Sequence, residues 1–541
     1  MIFRKLFSSI LLVLLVTLSF AQNHHTRFES IDVQHYKFEI HLNDSTNKIE
    51  GKTTVDIKLL KAVKSFTLDL IGIDSLSRGM TVESVFSENK SLLFSHKNNK
   101  LKIDLGQVVQ PGELHEFKIK YSGIPANGLV ISKNQYGDRT IFGDNWPDRA
   151  RYWLPTVDHP SDKATIEFMV HAPKHYEVIS NGYQVEEKEL NDKLKFTHWK
   201  EDVPLPTKLM VIGVADFEEG NKDTCNGIPI SSWVFPQNRE KGFENYKYGT
   251  EALKYYSELI GPYSYEKLAH VQSKTRYGGM ENAGCIFYAE RTATSNRSQE
   301  RLFAHEVAHQ WFGNSVTEQN WHHVWLSEGF ATYLTHVYNQ HFYGEEVFHT
   351  GLKKDRERII RYAKRNLAPI IDTTITDYTR LLNANSYQKA SWFLHMLRED
   401  LGDDVFFKGL RKYYSDFQNH TALTKDFQQV MESVSGKNLD LFFNQWLRQP
   451  GHPVLSIGIS TTLKKSTYPE SSVTIIQRQE DCLFHFPLEI KFTYDDGTSE
   501  IKSLEVNKKE NKISVVRKSK VVDINIDPNS KLLFECEGKK Y

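Results

Sequence analysis

Cysteine is scarce, with four in 541 residues: Cys225, Cys285, Cys482 and Cys536. That count excludes a disulfide scaffold as the source of stability. Cys482 and Cys536 share the C-terminal segment and are the expected pair if an exported chain pairs any. An excess of either charge is lacking too. Lys plus Arg and Asp plus Glu each number 68, for a formal net charge of zero. No basic block interrupts the mixture, which argues against a nucleic-acid partner. After the N-terminal residues no apolar run approaches the roughly 20 residues of a membrane-spanning helix, so no stable span is expected once a leader is removed. Internal repeats and low-complexity linkers are absent.

What is there begins with an export-type leader. In residues 1–21, Arg4 and Lys5 precede a mostly apolar stretch from Leu6 to Leu18, and Ser19-Phe20-Ala21 offers small residues at a cleavage point. Ser8 and Ser9 shorten the apolar run for an uncleaved anchor, so a cleaved signal peptide and a periplasmic or secreted location are expected. A hydrophobic content of 39% with 25% charged residues is that of a soluble globular chain. The length demands three or four domains.

The periodicity divides the chain into three parts. Residues 22–218 alternate, as in Tyr36, Phe38, Ile40 and Leu42, or Phe117, Ile119 and Tyr121, which predicts an antiparallel β domain of two sheets. Residues 219–451 turn mainly helical after strands near Pro229–Val234 and Ala269–Ser273, with a break near Pro369 and a helix beginning at Asn385, where Gln388 resembles a capping box. Residues 452–541 return to alternation through Phe484, Phe486, Leu488 and Ile490, and Asp495-Asp496-Gly497 predicts a hairpin turn. This last part reads as a small β-sandwich. The expected class is therefore multidomain α+β.

The chemistry concentrates between Arg301 and Leu334. His305-Glu306-x-x-His309 places two imidazoles one turn apart on one helical face, with Gly313 as the expected stop. Eighteen residues separate His309 from Glu328, which lies in a second amphipathic run with Leu326, Phe330, Leu334 and Val337. Two neutral imidazoles and a carboxylate are three ligands for one Zn2+ with a position left open, the arrangement of a catalytic zinc site. Glu306, next to His305, is poorly placed to ligate the same ion but well placed as general base toward a water there. Upstream, Gly278 and Gly279 carry no side chain that would keep a peptide backbone away.

These motifs together resemble the gluzincin aminopeptidases, the group of aminopeptidase N and leukotriene hydrolase. The resemblance rests on His305, Glu306, His309 and Glu328 preceded by Gly278-Gly279-Met280-Glu281-Asn282. It extends to Arg149–Ala164, to Ser386–Leu397 and to Phe442–Leu455, and covers about residues 30 to 460. It implies a thermolysin-like catalytic domain and a substrate-binding role for the Gly278–Asn282 stretch. It also implies that Glu281 pairs with the free α-amino group of a peptide and that Tyr387 donates to the oxyanion. Members often carry a large helical C-terminal domain, for which this chain is expected to have no room. Three positions depart from the pattern. Ser327 replaces an Asn, Thr335 stands where a glutamate often steers a ligand, and Asp144-Asn145-Trp146-Pro147 falls where a second amine ligand is common. The expected function is an exported zinc aminopeptidase acting on peptides with a free N-terminus. A thermolysin-type endopeptidase, a leukotriene-type hydrolase or a zinc-stabilised binding protein without catalysis are the alternatives.

Overall fold

The computed structural model describes residues 29–462, 468–480 and 482–537, so the expected leader falls outside the described residues. The chain divides into two compact units. Among the described residues, the first runs up to Lys254 and adds Tyr263–Thr317 and Gln418–Thr421; the second comprises Tyr255–Pro262, Glu318–Phe417 and the residues from Ala422 onward.

Alternation explains the N-terminal sheet. In Ile31–His41, Tyr36, Phe38 and Ile40 are buried while His35, Lys37, Glu39 and His41 face outward. That strand lies inside an eight-stranded sheet, accompanied by one sheet of four strands and one of three built from the same part of the chain. Three sheets thus replace the two expected. All pairings among them are antiparallel except that of Ile31–His41 with Lys163–Pro173, which run parallel from His35↔Thr165 to His41↔His171. Alternation records which face is buried and says nothing of the partner, so this pairing could not be read from it.

The first unit also contains a five-stranded sheet, ordered Glu218–Cys225, Ile228–Val234, Leu268–Ser273, Cys285–Ala289 and Gly279–Met280. Leu268–Ser273 is buried at every position and parallel to both neighbours, the pattern of a strand covered on two faces. The short strand Gly279–Met280 forms one edge.

Helices dominate the second unit. Trp325–Tyr343 is buried along most of its length, with Trp325 against Phe393 (ring centroids 5.2 Å) and Phe330 against Phe427 (5.1 Å). Glu345–Ala363 ends before the expected break at Pro369. Asn385–Lys389 is a single π-turn opening the helix Ala390–Leu401. Asn385 does not cap it: its amide donates instead to the carbonyls of Ala368 (3.0 Å) and Pro369 (3.3 Å), tying down the preceding loop. The C-terminal part forms a four-stranded and a three-stranded sheet, and Gly497, at φ 82°, turns the expected hairpin. Cys482 precedes the strand Phe486–Tyr494 of the three-stranded sheet, whereas Cys536 lies on the edge strand of the other. No helix among the described residues is long and apolar enough to cross a membrane.

Candidate active site

The helix Glu300–Ala308 carries the histidine motif. Arg297 fixes its start by donating to the Glu300 carboxylate at 2.9 and 2.7 Å, an acidic first turn that suits the helix dipole. Phe303 anchors the inner face, packing edge-on to Tyr288 (4.8 Å) and Tyr246 (5.4 Å), a burial that contributes roughly 1.5–3 kcal/mol. Burial pushes the Tyr288 phenol well above its ordinary pKa, and the charge of Glu306 pushes it further, so Tyr288 stays protonated. Burial likewise pushes His270, beside it, down to about 3 and keeps that ring neutral.

The helix stops at Ala308, earlier than the Gly313 stop expected. The chain then turns tightly, with Asn314 N donating to His309 O (3.1 Å) and Gly313 N to Val316 O (2.8 Å). The early stop frees the carbonyl of Phe312 to face His309, whose Nδ1 lies 3.2 Å from it. Donation there commits Nδ1–H and leaves Nε2 with its lone pair, the tautomer a metal ligand requires. The Nε2 atoms of His305 and His309 are 3.1 Å apart, with their rings nearly perpendicular. Two ligands of one tetrahedral zinc, each about 2.05 Å from it, stand about 3.3 Å apart, so this pair fits zinc.

The edge strand meets the helix here. Glu281 follows Gly279–Met280, and its side chain, that of Glu306 and that of His309 each place one donor atom within 4.8 Å of the others. Both carboxylates are buried. Two anionic groups so close, out of water, call for cationic company. Glu281 is held by its own carbonyl, which accepts from Gln310 Nε2 (2.9 Å) and Asn314 Nδ2 (2.6 Å), while Gln310 Oε1 accepts from Gly284 N (3.0 Å). Gln310 and Asn314 were not singled out from sequence. Their positions four and eight residues after Glu306 are the signal that was available. Met280 is buried, and Asn282 sits fully buried behind Glu281, its carbonyl accepting from Cys285 N (3.0 Å).

Gly279 has a specific reason to be glycine. A Cβ there would stand 2.6 Å from Cγ of Glu306, inside contact distance. Gly279→Ala is therefore expected to displace the Glu306 carboxylate and lower kcat by about 10²-fold, the cost of roughly 1 Å of misplacement, with zinc content unchanged. Gly278, by contrast, would meet only ordinary contacts, with Leu302 at 3.5 Å, so Gly278→Ala leaves the Glu306 carboxylate in place.

Arg149 donates to the Asp144 carboxylate at 3.0 Å and Arg276 stands 3.6 Å from it, while burial pushes its pKa up against their pull. Arg149 also donates to the hydroxyl of Tyr277 (2.8 Å), whose ring meets Trp146 edge-on. In the second unit, Glu328 lies buried in the first turn of Trp325–Tyr343. Thr335 bonds back to Ala331 O (2.7 Å) in the same helix. Tyr387 is half-buried in the π-turn, a deviation that recurs at functional sites. Two residues on, Lys389 is pushed down to about 7 by burial.

A helix-borne pair of imidazoles beside buried carboxylates at a sheet edge defines a divalent-metal site. Residues 32–209 match the Peptidase M1 N-terminal domain and residues 245–446 the Peptidase family M1 domain, together more than half of the chain. The chain belongs to peptidase family M1. It is 27% identical over 460 residues to "Probable aminopeptidase 2" of Sulfurisphaera tokodaii, covering 80% of this chain and 58% of that one. It is 28% identical over 377 residues to human glutamyl aminopeptidase, covering 67% and 39% respectively. The chain thus spans from about two fifths to three fifths of the length of these relatives. The crystal structure of M1 zinc metallopeptidase from Deinococcus radiodurans shares the fold, with a TM-score of 0.66 at 24% identity over 79% of this chain and 95% of that one.

Proposed function

We propose that this chain is an exported zinc aminopeptidase that removes the N-terminal residue from peptides with a free amino end. The observation that carries the reading is the convergence of Glu281, Glu306 and His309 beside the edge strand Gly279–Met280. In this reading His305, His309 and Glu328 hold one Zn2+. When bound, zinc supplies Lewis-acid polarisation of the scissile carbonyl and acidifies the attacking water.

The chain's own residues do the rest. The peptide lies along the edge strand as a further strand, where Gly278 and Gly279 let its backbone come close. Glu281 pairs with the charged α-amino group and so fixes the distance to the first peptide bond. Glu306 takes the proton from the attacking water and returns it to the leaving amine. Tyr387 donates a hydrogen bond to the oxyanion of the tetrahedral intermediate. The names of the relatives support this reading, as does the Deinococcus radiodurans peptidase, a variant of which has been crystallised with a Tyr-Ser-Ala substrate.

The test is a panel of aminoacyl reporter substrates and matched peptides with free or acetylated N-termini, each assayed with and without a chelator. Free-amine substrates should be cleaved, acetylated ones spared, and chelation should abolish turnover until zinc is restored. Equal cleavage of acetylated peptides points instead to an endopeptidase, and indifference to the chelator overturns the zinc assignment.

A further inference from the structure

The outer face of the eight-stranded sheet carries a second group of metal-type donors. His41 and His171 are register partners on adjacent parallel strands, so both rings leave the sheet on one side. Glu39, two residues before His41, shares that side. The two imidazoles stack face to face, with centroids 4.0 Å apart and planes within 8°. Glu39 Oε1 lies 3.4 Å from Nε2 of His171 and 3.6 Å from Nε2 of His41. The three donor atoms all lie within 4.8 Å of one another.

Nε2 of His171 is shielded from water and faces Glu39 Oε1 at 3.4 Å. The 3.4 and 3.6 Å separations are those of donors that share one ion about 2.1 Å from each. The adjoining group on the same face shows what saturation looks like. There Glu167 is met by His198 at 2.8 Å and Lys37 at 3.1 Å, and His35 is engaged with Thr165 at 2.7 Å.

We infer that Glu39, His41 and His171 form a second divalent-cation site, one suited to a borderline-soft ion such as zinc, copper(II) or nickel(II). Its donors are two nitrogens and one oxygen, and water completes the shell on the exposed side. The stacked rings must turn for both nitrogens to reach one ion, and His41, 47% exposed in its side chain against 15% for His171, is the one to move. Lys52, 3.4 Å from the other oxygen of Glu39, competes for that carboxylate. Both features make this site weaker than the one on the Glu300–Ala308 helix. An ion held here joins the strands Ile31–His41 and Lys163–Pro173.

The proposal is independent of the peptidase chemistry. Full-length protein stripped of metal and titrated with zinc against a competing chelator should take up two ions per chain. His41→Ala and His171→Ala should each reduce the count to one, leave turnover at one equivalent of zinc unchanged, and abolish the rise in Tm on the second equivalent. His309→Ala should lose the tighter ion and keep the weaker. A wild-type stoichiometry of one, or two ions still bound by both His41→Ala and His171→Ala, overturns it.

Discussion

Glu306→Gln is expected to lower kcat by 10²- to 10⁴-fold, the range for a lost general acid–base group, while leaving zinc content and KM near wild type. Glutamine keeps the shape of the side chain, so the packing against Gly279 and the helix Glu300–Ala308 persists. What disappears is the capacity to accept a proton. The carboxylate is positioned for that exchange by its surroundings: it is 5% exposed, it crowds the glycine backbone, and it shares its space with Glu281 and His309. Steady-state kinetics with metal analysis of the same preparations makes the comparison. If the variant binds zinc and turns over normally, Glu306 is not the base.

The histidine motif was legible because its physics is local. Helical spacing alone sets His305 and His309 on one face, and only a change of secondary structure could undo it. The alternation of Tyr36, Phe38 and Ile40 was legible for the same reason, since period two follows from the strand itself. Contacts between distant segments left no such trace. The parallel pairing of Ile31–His41 with Lys163–Pro173 is set by topology, and it alone brings His41 beside His171. The amides of Gln310 and Asn314 read as ordinary polar residues until the fold turns them onto the carbonyl of Glu281. Asn385 misled in the opposite way. Its spacing to Gln388 imitates a capping box, but the carbonyls of Ala368 and Pro369 compete successfully for its amide, and the turn that follows is π rather than α. A local signal loses where a tertiary partner offers a better hydrogen bond.

Glu281→Gln should lower kcat/KM for free-amine peptides by about 10²-fold or more, because truncating one side of a buried charge pair costs about 2–5 kcal/mol. The backbone that carries it should stay in place, since Gln310 and Asn314 grip the carbonyl of residue 281 and not its side chain. The loss therefore belongs to the carboxylate and not to a shifted strand. Its decisive signature is selectivity. Wild type is expected to prefer the free amine over the N-acetylated peptide by the whole worth of that ion pair, whereas the variant should treat the two nearly alike. Glu281→Asp keeps the charge but draws it back by one methylene, so it should recover preference for the free amine with a lower kcat. Should Glu281→Gln lose rate equally on free and blocked peptides, Glu281 supports the site without reading the amino end, and the limit to one residue per cut must come from elsewhere.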